Sequence, residues 1–172
     1  MKLLRHIFGF AIGITVFVIL IPLAIVYLSD IIDSAFSLNR FADSTARLFF
    51  VVPIFTVGVI YILWSNLFLV VRGKGGPADG FGVAISPRTE RLVTTGPYRN
   101  TRNPMVFGAF SIYFALAIYI GSVGGLILLT IFFVIASFYL KRVEEPRLTA
   151  DFGDEYKEYC RRVSMIVPFL KK

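Results

Sequence analysis

Two polar clusters hold most of the residues whose types and spacing could do chemistry. The first cluster reads LVTTGPYRNTRNPMVFG at 92–108. It places Arg102 and Asn103 directly before Pro104, a residue favoured in the first turn of a helix. Free N–H groups and the positive end of a helix dipole favour an anion at such a position. The alternative is that the arginines are membrane anchors that touch lipid phosphates.

The second cluster reads KRVEEPRLTADFGDEYKEYCRRV at 141–163 and begins with two adjacent carboxylates, Glu144 and Glu145. At the membrane end of a helix a carboxylate has a desolvation cost, so each should have a partner. That partner is either a ligand or the neighbouring Lys141 and Arg142. One face of the following helix is apolar, at Phe152, Tyr156, Tyr159 and Val163. This spacing predicts an amphipathic helix on the membrane surface.

Several kinds of chemistry lack the residues that they need. The chain has one histidine, His6, and one cysteine, Cys160. A histidine metal cluster and a disulfide scaffold are therefore excluded, and a histidine-activated nucleophile is unsupported because His6 lies at the start of the first apolar stretch. The glycines at 73–76 do not have the spacing of a phosphate-binding loop.

Long apolar stretches must position the two clusters. Hydrophobic residues make up 56% of the 172 residues and charged residues only 17%, which is more apolar than a soluble domain. Uncharged stretches run over 7–28, 48–71 and 105–140. The third is too long for one span, and its glycines at 121–125 divide it into 105–120 and 126–140. The sequence predicts one all-α domain over 1–172, an integral membrane bundle of about four transmembrane helices with a C-terminal helical hairpin and a cytoplasmic amphipathic helix.

The distribution of Lys and Arg predicts the orientation. Of the 18 basic residues, all except Arg40 and Arg47 fall on one side of a four-span arrangement. The positive-inside rule puts that side in the cytoplasm, with both termini and the segments 72–104 and 141–172. We therefore expect a multi-pass protein of the inner or plasma membrane, in contact with membrane lipids and not with nucleic acid. A signal peptide is the alternative for 7–28, but the stretch is long and no small-x-small cleavage site follows.

The predicted hairpin brings the two clusters to the same membrane face, about one helix–helix distance (~8–10 Å) apart. Together, LVTTGPYRNTRNPM…G and RVEEPRL…FGDEYKEYCRRV…VPFL resemble the isoprenylcysteine carboxyl methyltransferase-like family of integral membrane methyltransferases, with phospholipid methyltransferases as more distant relatives. The resemblance covers roughly 70–170. It implies that S-adenosylmethionine binds near the cytoplasmic face and that a lipophilic methyl acceptor enters from the bilayer.

The resemblance also implies roles for individual residues. The catalytic candidates are Arg102, Glu145 and Arg142. The cofactor-binding candidates are Gly96, Tyr98, Asn103, Pro104, Met105, Gly108, Glu144, Glu145, Tyr156 and Tyr159, and no metal is implied. The family's Arg-His-Pro element aligns with Arg102-Asn103-Pro104, so an amide replaces the imidazole, and Val106 stands where tyrosine is common. An amide can still donate and accept a hydrogen bond.

The chemistry of the acceptor follows from the residue types. A carboxylate is already deprotonated at pH 7 and needs only a cation to orient it, whereas an amine must first lose a proton. Neither cluster has a histidine for that task. The resemblance implies a methyltransferase for a lipid-embedded acceptor, and these residue types favour a carboxylate, such as an isoprenylcysteine-like group. The alternatives are a phospholipid amine methyltransferase, a nicotinamide-dependent membrane reductase-like enzyme, and a non-catalytic lipid-binding or assembly protein.

Overall fold

The computed structural model describes residue 11 and residues 13–41, 44–73, 79–80, 83–84 and 91–170. Helices make up most of this part of the chain. They are α1 (Ile21–Ala35), α2 (Ser44–Phe68), α3 (Pro104–Ile120), α4 (Val123–Tyr139) and α5 (Glu145–Arg162), with π-helical turns at Thr15–Leu20, Leu69–Gly73 and Leu140–Glu144 and a 3₁₀-helix at Gly96–Arg99. A two-residue antiparallel pair joins Asp79–Gly80 to Val83–Ala84.

Three of the helical runs are long and apolar enough to cross a bilayer: Thr15–Ala35, Thr45–Gly73 and Val123–Arg162. The apolar helix α3 is shorter, about 26 Å at 1.5 Å per residue. Most of the outward-facing side chains on these helices are large and hydrophobic, as in a protein surrounded by lipid. The predicted fold class, a helical membrane bundle, is confirmed.

The hairpin between α3 and α4 is tighter than the sequence predicted. Gly121 ends α3 in the left-handed region (φ 71°), and the Ser122 hydroxyl caps α4 by accepting the N–H of Gly125 at 2.7 Å. The helix α4 therefore begins at Val123 and not at 126. Gly124 lies inside it because α1 packs closely there: a Cβ on Gly124 would lie 2.7 Å from Asp33 Oδ1.

The first helix also extends further than predicted, through Ala35 rather than 28. This extra length carries Asp33 to the start of α4, where its Oδ1 accepts the Gly124 N–H at 2.7 Å. A carboxylate is favourable at a helix N-terminus. The predicted start of this span, at 7–10, lies outside the described residues.

Close contact between α2 and α3 fixes the other side of the bundle. A Cβ on Gly108 would lie 2.7 Å from the Gly58 carbonyl oxygen, and one on Gly58 would lie 2.8 Å from that of Gly108. Two backbones approach this closely only where side chains are absent. The contact places the end of α2 beside the segment that leads into α3.

The helix α5 is amphipathic, as predicted, but its apolar face is covered by protein. Tyr156 and Tyr159 are buried against Val93 and Tyr98, which precede α3, and Phe68 packs on the same cluster. The face is also not continuous, because Gly153 (φ 59°, ψ −133°) interrupts the helix. The prediction that this face rests on the membrane surface is therefore wrong for these tyrosines.

Candidate functional site

An ion pair joins the two polar clusters at one end of the bundle. Arg102 Nη1 lies 2.6 Å from Glu145 Oε1, although the two residues are 43 positions apart in the chain. The Arg102 side chain is 2% exposed and that of Glu145 is 24% exposed. A guanidinium this deeply buried is stable only with a hydrogen-bonded counter-charge. The predicted meeting of the two clusters is thus observed.

The same guanidinium is surrounded by polar groups from α5. Its Nη1 also donates to Cys160 Sγ at 2.6 Å, and Tyr156 lies near enough to influence its charge. Burial disfavours the charged form, but the negative charge of Glu145, aided by Cys160 and Tyr156, raises the pKa of Arg102 above its ordinary value. Arg102 is therefore a permanent cation in a partly neutralised cluster.

The segment before α3 is held from both sides. On the α2 side, Gly96 has φ 63°, and a Cβ there would lie 2.4 Å from the ring of Phe68. On the α5 side, the Tyr159 hydroxyl donates to the Tyr98 carbonyl at 2.5 Å. Burial raises the pKa of Tyr98, so its phenol stays protonated. Gly96, Tyr98 and Tyr159 support the segment that carries Arg102.

The chain after α5 completes this support, in a segment of bends and turns that we call the tail (163–170). The backbone N–H of Arg102 donates to the Ser164 carbonyl at 2.9 Å, and that of Asn103 donates to the Met165 carbonyl at 3.1 Å. The Asn103 side-chain amide donates to the same Met165 oxygen at 2.9 Å. In this structure Asn103 therefore holds the tail, and its donor is an amide N–H that an imidazole could also supply.

Other predicted site residues lie apart from the Arg102–Glu145 pair. Glu144 is paired with Arg147 at 2.6 Å and Arg142 is exposed. Pro104 is buried in the first turn of α3, and Gly108 contacts α2. Met105 is partly buried at the start of the same helix.

An open cleft of about 410 Å³ lies on the α2 side of the same segment. It is lined by Trp64, Gly96, Arg99, Asn100 and Phe169. Of these, sequence reasoning predicted only Gly96 as a site residue. Trp64 and Phe169 could not be connected with it because they are distant in sequence. Sequence reasoning also missed Cys160 as a neighbour of Arg102, although its position four residues after Tyr156 places both on one helix face.

The residues present fit an anionic and hydroxyl-rich ligand in two respects. Arg102 Nε is buried and has no hydrogen-bond acceptor among the described residues. Glu145 uses one carboxylate oxygen for Arg102, and its side chain remains partly exposed. The pair therefore has an unused donor for a carboxylate and an acceptor for hydroxyl or ammonium groups.

Fold and site together define an integral membrane protein with a polar centre at one end of its helices. The chain belongs to the phospholipid methyltransferase family, whose model matches residues 46–155, more than half of the sequence. This confirms the resemblance to integral membrane methyltransferases. No curated protein and no solved structure gives a significant match. The matched range includes α2, both helices of the hairpin and the Arg102–Glu145 pair.

Proposed function

We propose that the protein is an S-adenosylmethionine-dependent methyltransferase that acts on a lipid-embedded acceptor at the Arg102–Glu145 pair. The observation that supports this most directly is the 2.6 Å contact between Arg102 and Glu145, which joins the two polar clusters at the open end of the hairpin, opposite its turn. S-adenosylmethionine supplies a methyl group on a positively charged sulfur. Methyl transfer from such a donor depends mainly on the relative position of donor and acceptor.

In this proposal Glu145 binds the cofactor and Arg102 has two functions. The carboxylate of Glu145 accepts hydrogen bonds from the ribose hydroxyls or the ammonium group. Arg102 positions Glu145 through Nη1, and its unpaired Nε donates to the carboxylate of the cofactor. Tyr98 and Tyr159 keep the two segments together, and their burial excludes water from one side of the site.

The acceptor that best matches the residues is a carboxylate. A carboxylate needs no base, and in this proposal the two oxygens of Glu145 are used by Arg102 and by the cofactor, so that Glu145 does not act as one. The family description supports a second candidate, a phospholipid. A phospholipid amine would have to lose a proton before methylation, a task for which this cluster has no histidine.

A labelling experiment tests the function and separates the two acceptors. Purified protein in lipid nanodiscs is incubated with methyl-labelled S-adenosylmethionine and a membrane lipid extract. We expect a labelled lipid whose label is released as methanol by mild base, because methyl esters hydrolyse and N-methyl groups do not. Base-stable label would identify an amine acceptor, and an absence of labelled lipid together with an absence of cofactor binding would contradict the proposal.

A further inference from the structure

The cleft beside Trp64 contains an arginine, Arg99, for which the described residues supply no counter-charge. Arg99 is exposed at the end of the 3₁₀-helix, and it forms no ion pair within the part of the chain that the structure describes. The neighbouring Asn100 also lines the cleft, and its side-chain amide donates to the Tyr61 hydroxyl at 3.4 Å. A guanidinium matches the geometry of a phosphate or carboxylate with two parallel hydrogen bonds. The polar part of the cleft is therefore suited to an anion.

The rest of the cleft is aromatic. Trp64, 37% exposed, lies near the end of α2, and Phe169 is 77% exposed on the tail. Tryptophan is enriched where a membrane meets water because its ring is apolar and its N–H is polar. Two aromatic side chains beside one arginine match a ligand that is charged at one end and hydrocarbon at the other.

The aromatic wall on the tail is fixed in an unusual conformation. Phe169 has φ 62°, in the left-handed region that a bulky residue rarely adopts. Its N–H donates to the Asn100 carbonyl at 3.2 Å, and this bond ties it to the segment that carries Arg99. Such backbone strain is concentrated at active sites and ligand-binding positions.

We propose that this cleft binds the acidic headgroup of a membrane lipid. The phosphate or carboxylate contacts Arg99, and the first carbons of the lipid lie between Trp64 and Phe169. The site is distinct from the Arg102–Glu145 pair, because Gly96 contacts α2 on one side of the segment while Tyr98 is bonded to α5 on the other. The proposal does not depend on methyl transfer, so it is tested without a methyl donor.

Trp64 is the only tryptophan in the chain, so its fluorescence reports on the cleft directly. The full chain in detergent micelles is titrated with phosphatidylglycerol brominated in the upper part of its acyl chains, and in parallel with equally brominated phosphatidylcholine. Bromine quenches tryptophan on contact. We expect half-maximal quenching at an about fivefold lower fraction of the anionic lipid, the effect of one basic residue at an anionic surface.

Two variants assign the preference to the cleft. In Arg99→Gln, both lipids should quench Trp64 at equal fractions. Arg161→Gln removes the same charge from the exposed face of α5, and it should keep the preference for the anionic lipid. The proposal is overturned if wild-type protein shows no preference, if Arg99→Gln keeps it, or if Arg161→Gln loses it to the same extent. None of these results bears on methyl transfer, so a failure here leaves the proposed function to its own test.

Discussion

Two adjacent glutamates in this protein have different partners. Glu145 contacts Arg102, whereas Glu144 contacts Arg147 and accepts a hydrogen bond from the Tyr139 hydroxyl at 3.5 Å. Successive residues of a helix point about 100° apart, so only one of the pair can enter the site. The difference allows each carboxylate to serve as the control for the other.

We predict that Glu145→Gln weakens cofactor binding by at least about tenfold, since a hydrogen bond to a charged group contributes roughly 1.5–3 kcal/mol. Glu144→Gln should stay within about twofold of wild type, because its carboxylate is already bound to Arg147. Calorimetry with S-adenosylhomocysteine measures both. If Glu145→Gln fails to fold, Glu145→Asp replaces it in the experiment, because the shorter side chain keeps the negative charge but holds it further from the site. Equal affinities for the Glu144 and Glu145 variants would contradict the assignment.

Arg102 and Arg142 can be separated in the same way. Arg102→Lys should reduce kcat/KM by more than about tenfold, because one ammonium cannot reproduce the forked donors that reach Glu145 and leave Nε for a ligand. Arg142→Lys should be near wild type, because Arg142 is exposed. Turnover of the folded variants is the measurement. The reverse order of effects would make Arg142 the site residue and Arg102 a membrane anchor. Asn103→His should be tolerated, because imidazole can donate to Met165.

The pairing of Arg102 with Glu145 agrees with the choice of Glu145 as a catalytic candidate, although a regular helical period does not explain that choice. The helical hairpin requires its two ends to meet, so the contact between the Arg102 and Glu145 segments follows from topology alone. The π-helical turn at Leu140–Glu144 changes the phase of the helix just before Glu145. A regular 3.6-residue period cannot predict that change. The contacts of Asn103 with the tail were also unpredictable, because their acceptor is the backbone carbonyl of Met165 and no side chain of the tail takes part.

At the scale of the helices, close packing of backbones sets the geometry. Composition predicts that the glycines of 121–125 form a turn, yet among them only Gly121 has the left-handed backbone that a turn requires. Gly124 and Gly125 lie in a helix because another helix approaches them. Composition identifies a glycine-rich segment, but it does not distinguish a turn from a close contact.

The contact between α2 and α3 gives a prediction about stability. Gly108→Ala should lower the free energy of unfolding by about 1–3 kcal/mol, the usual cost of overpacking, because the new Cβ meets the Gly58 carbonyl. Gly13→Ala is the matched control, since outside its own helical turn no atom of the described residues lies within 4 Å of the Cβ that it adds. Thermal unfolding in detergent, followed by circular dichroism, measures both. Equal melting temperatures for the two variants would contradict the prediction, because they would show that α2 and α3 make room for the added Cβ without cost.

At the scale of the whole molecule, the helix count agrees with the four-span expectation, while the orientation remains a prediction from Lys and Arg. Cys160 is a poor probe of it, because its thiol contacts Arg102. In a Cys160→Ser background, Glu155→Cys and Ser37→Cys put thiols on exposed positions at opposite ends of the bundle. An impermeant maleimide should label position 155 only from the cytoplasm and position 37 only from outside. Labelling of both from one side would exclude the four-span topology.

The tail has a consequence for the order of biosynthesis. The backbone N–H groups of Arg102 and Asn103 find their acceptors at Ser164 and Met165, more than 60 residues later in the chain. A ribosome therefore delivers α3, α4 and α5 to the membrane before these donors can be satisfied by the tail. A nascent chain that ends within α5 already contains the Arg102 and Glu145 side chains but lacks the backbone that holds the arginine in place. The centre is therefore completed only when the chain that follows α5 has left the ribosome exit tunnel.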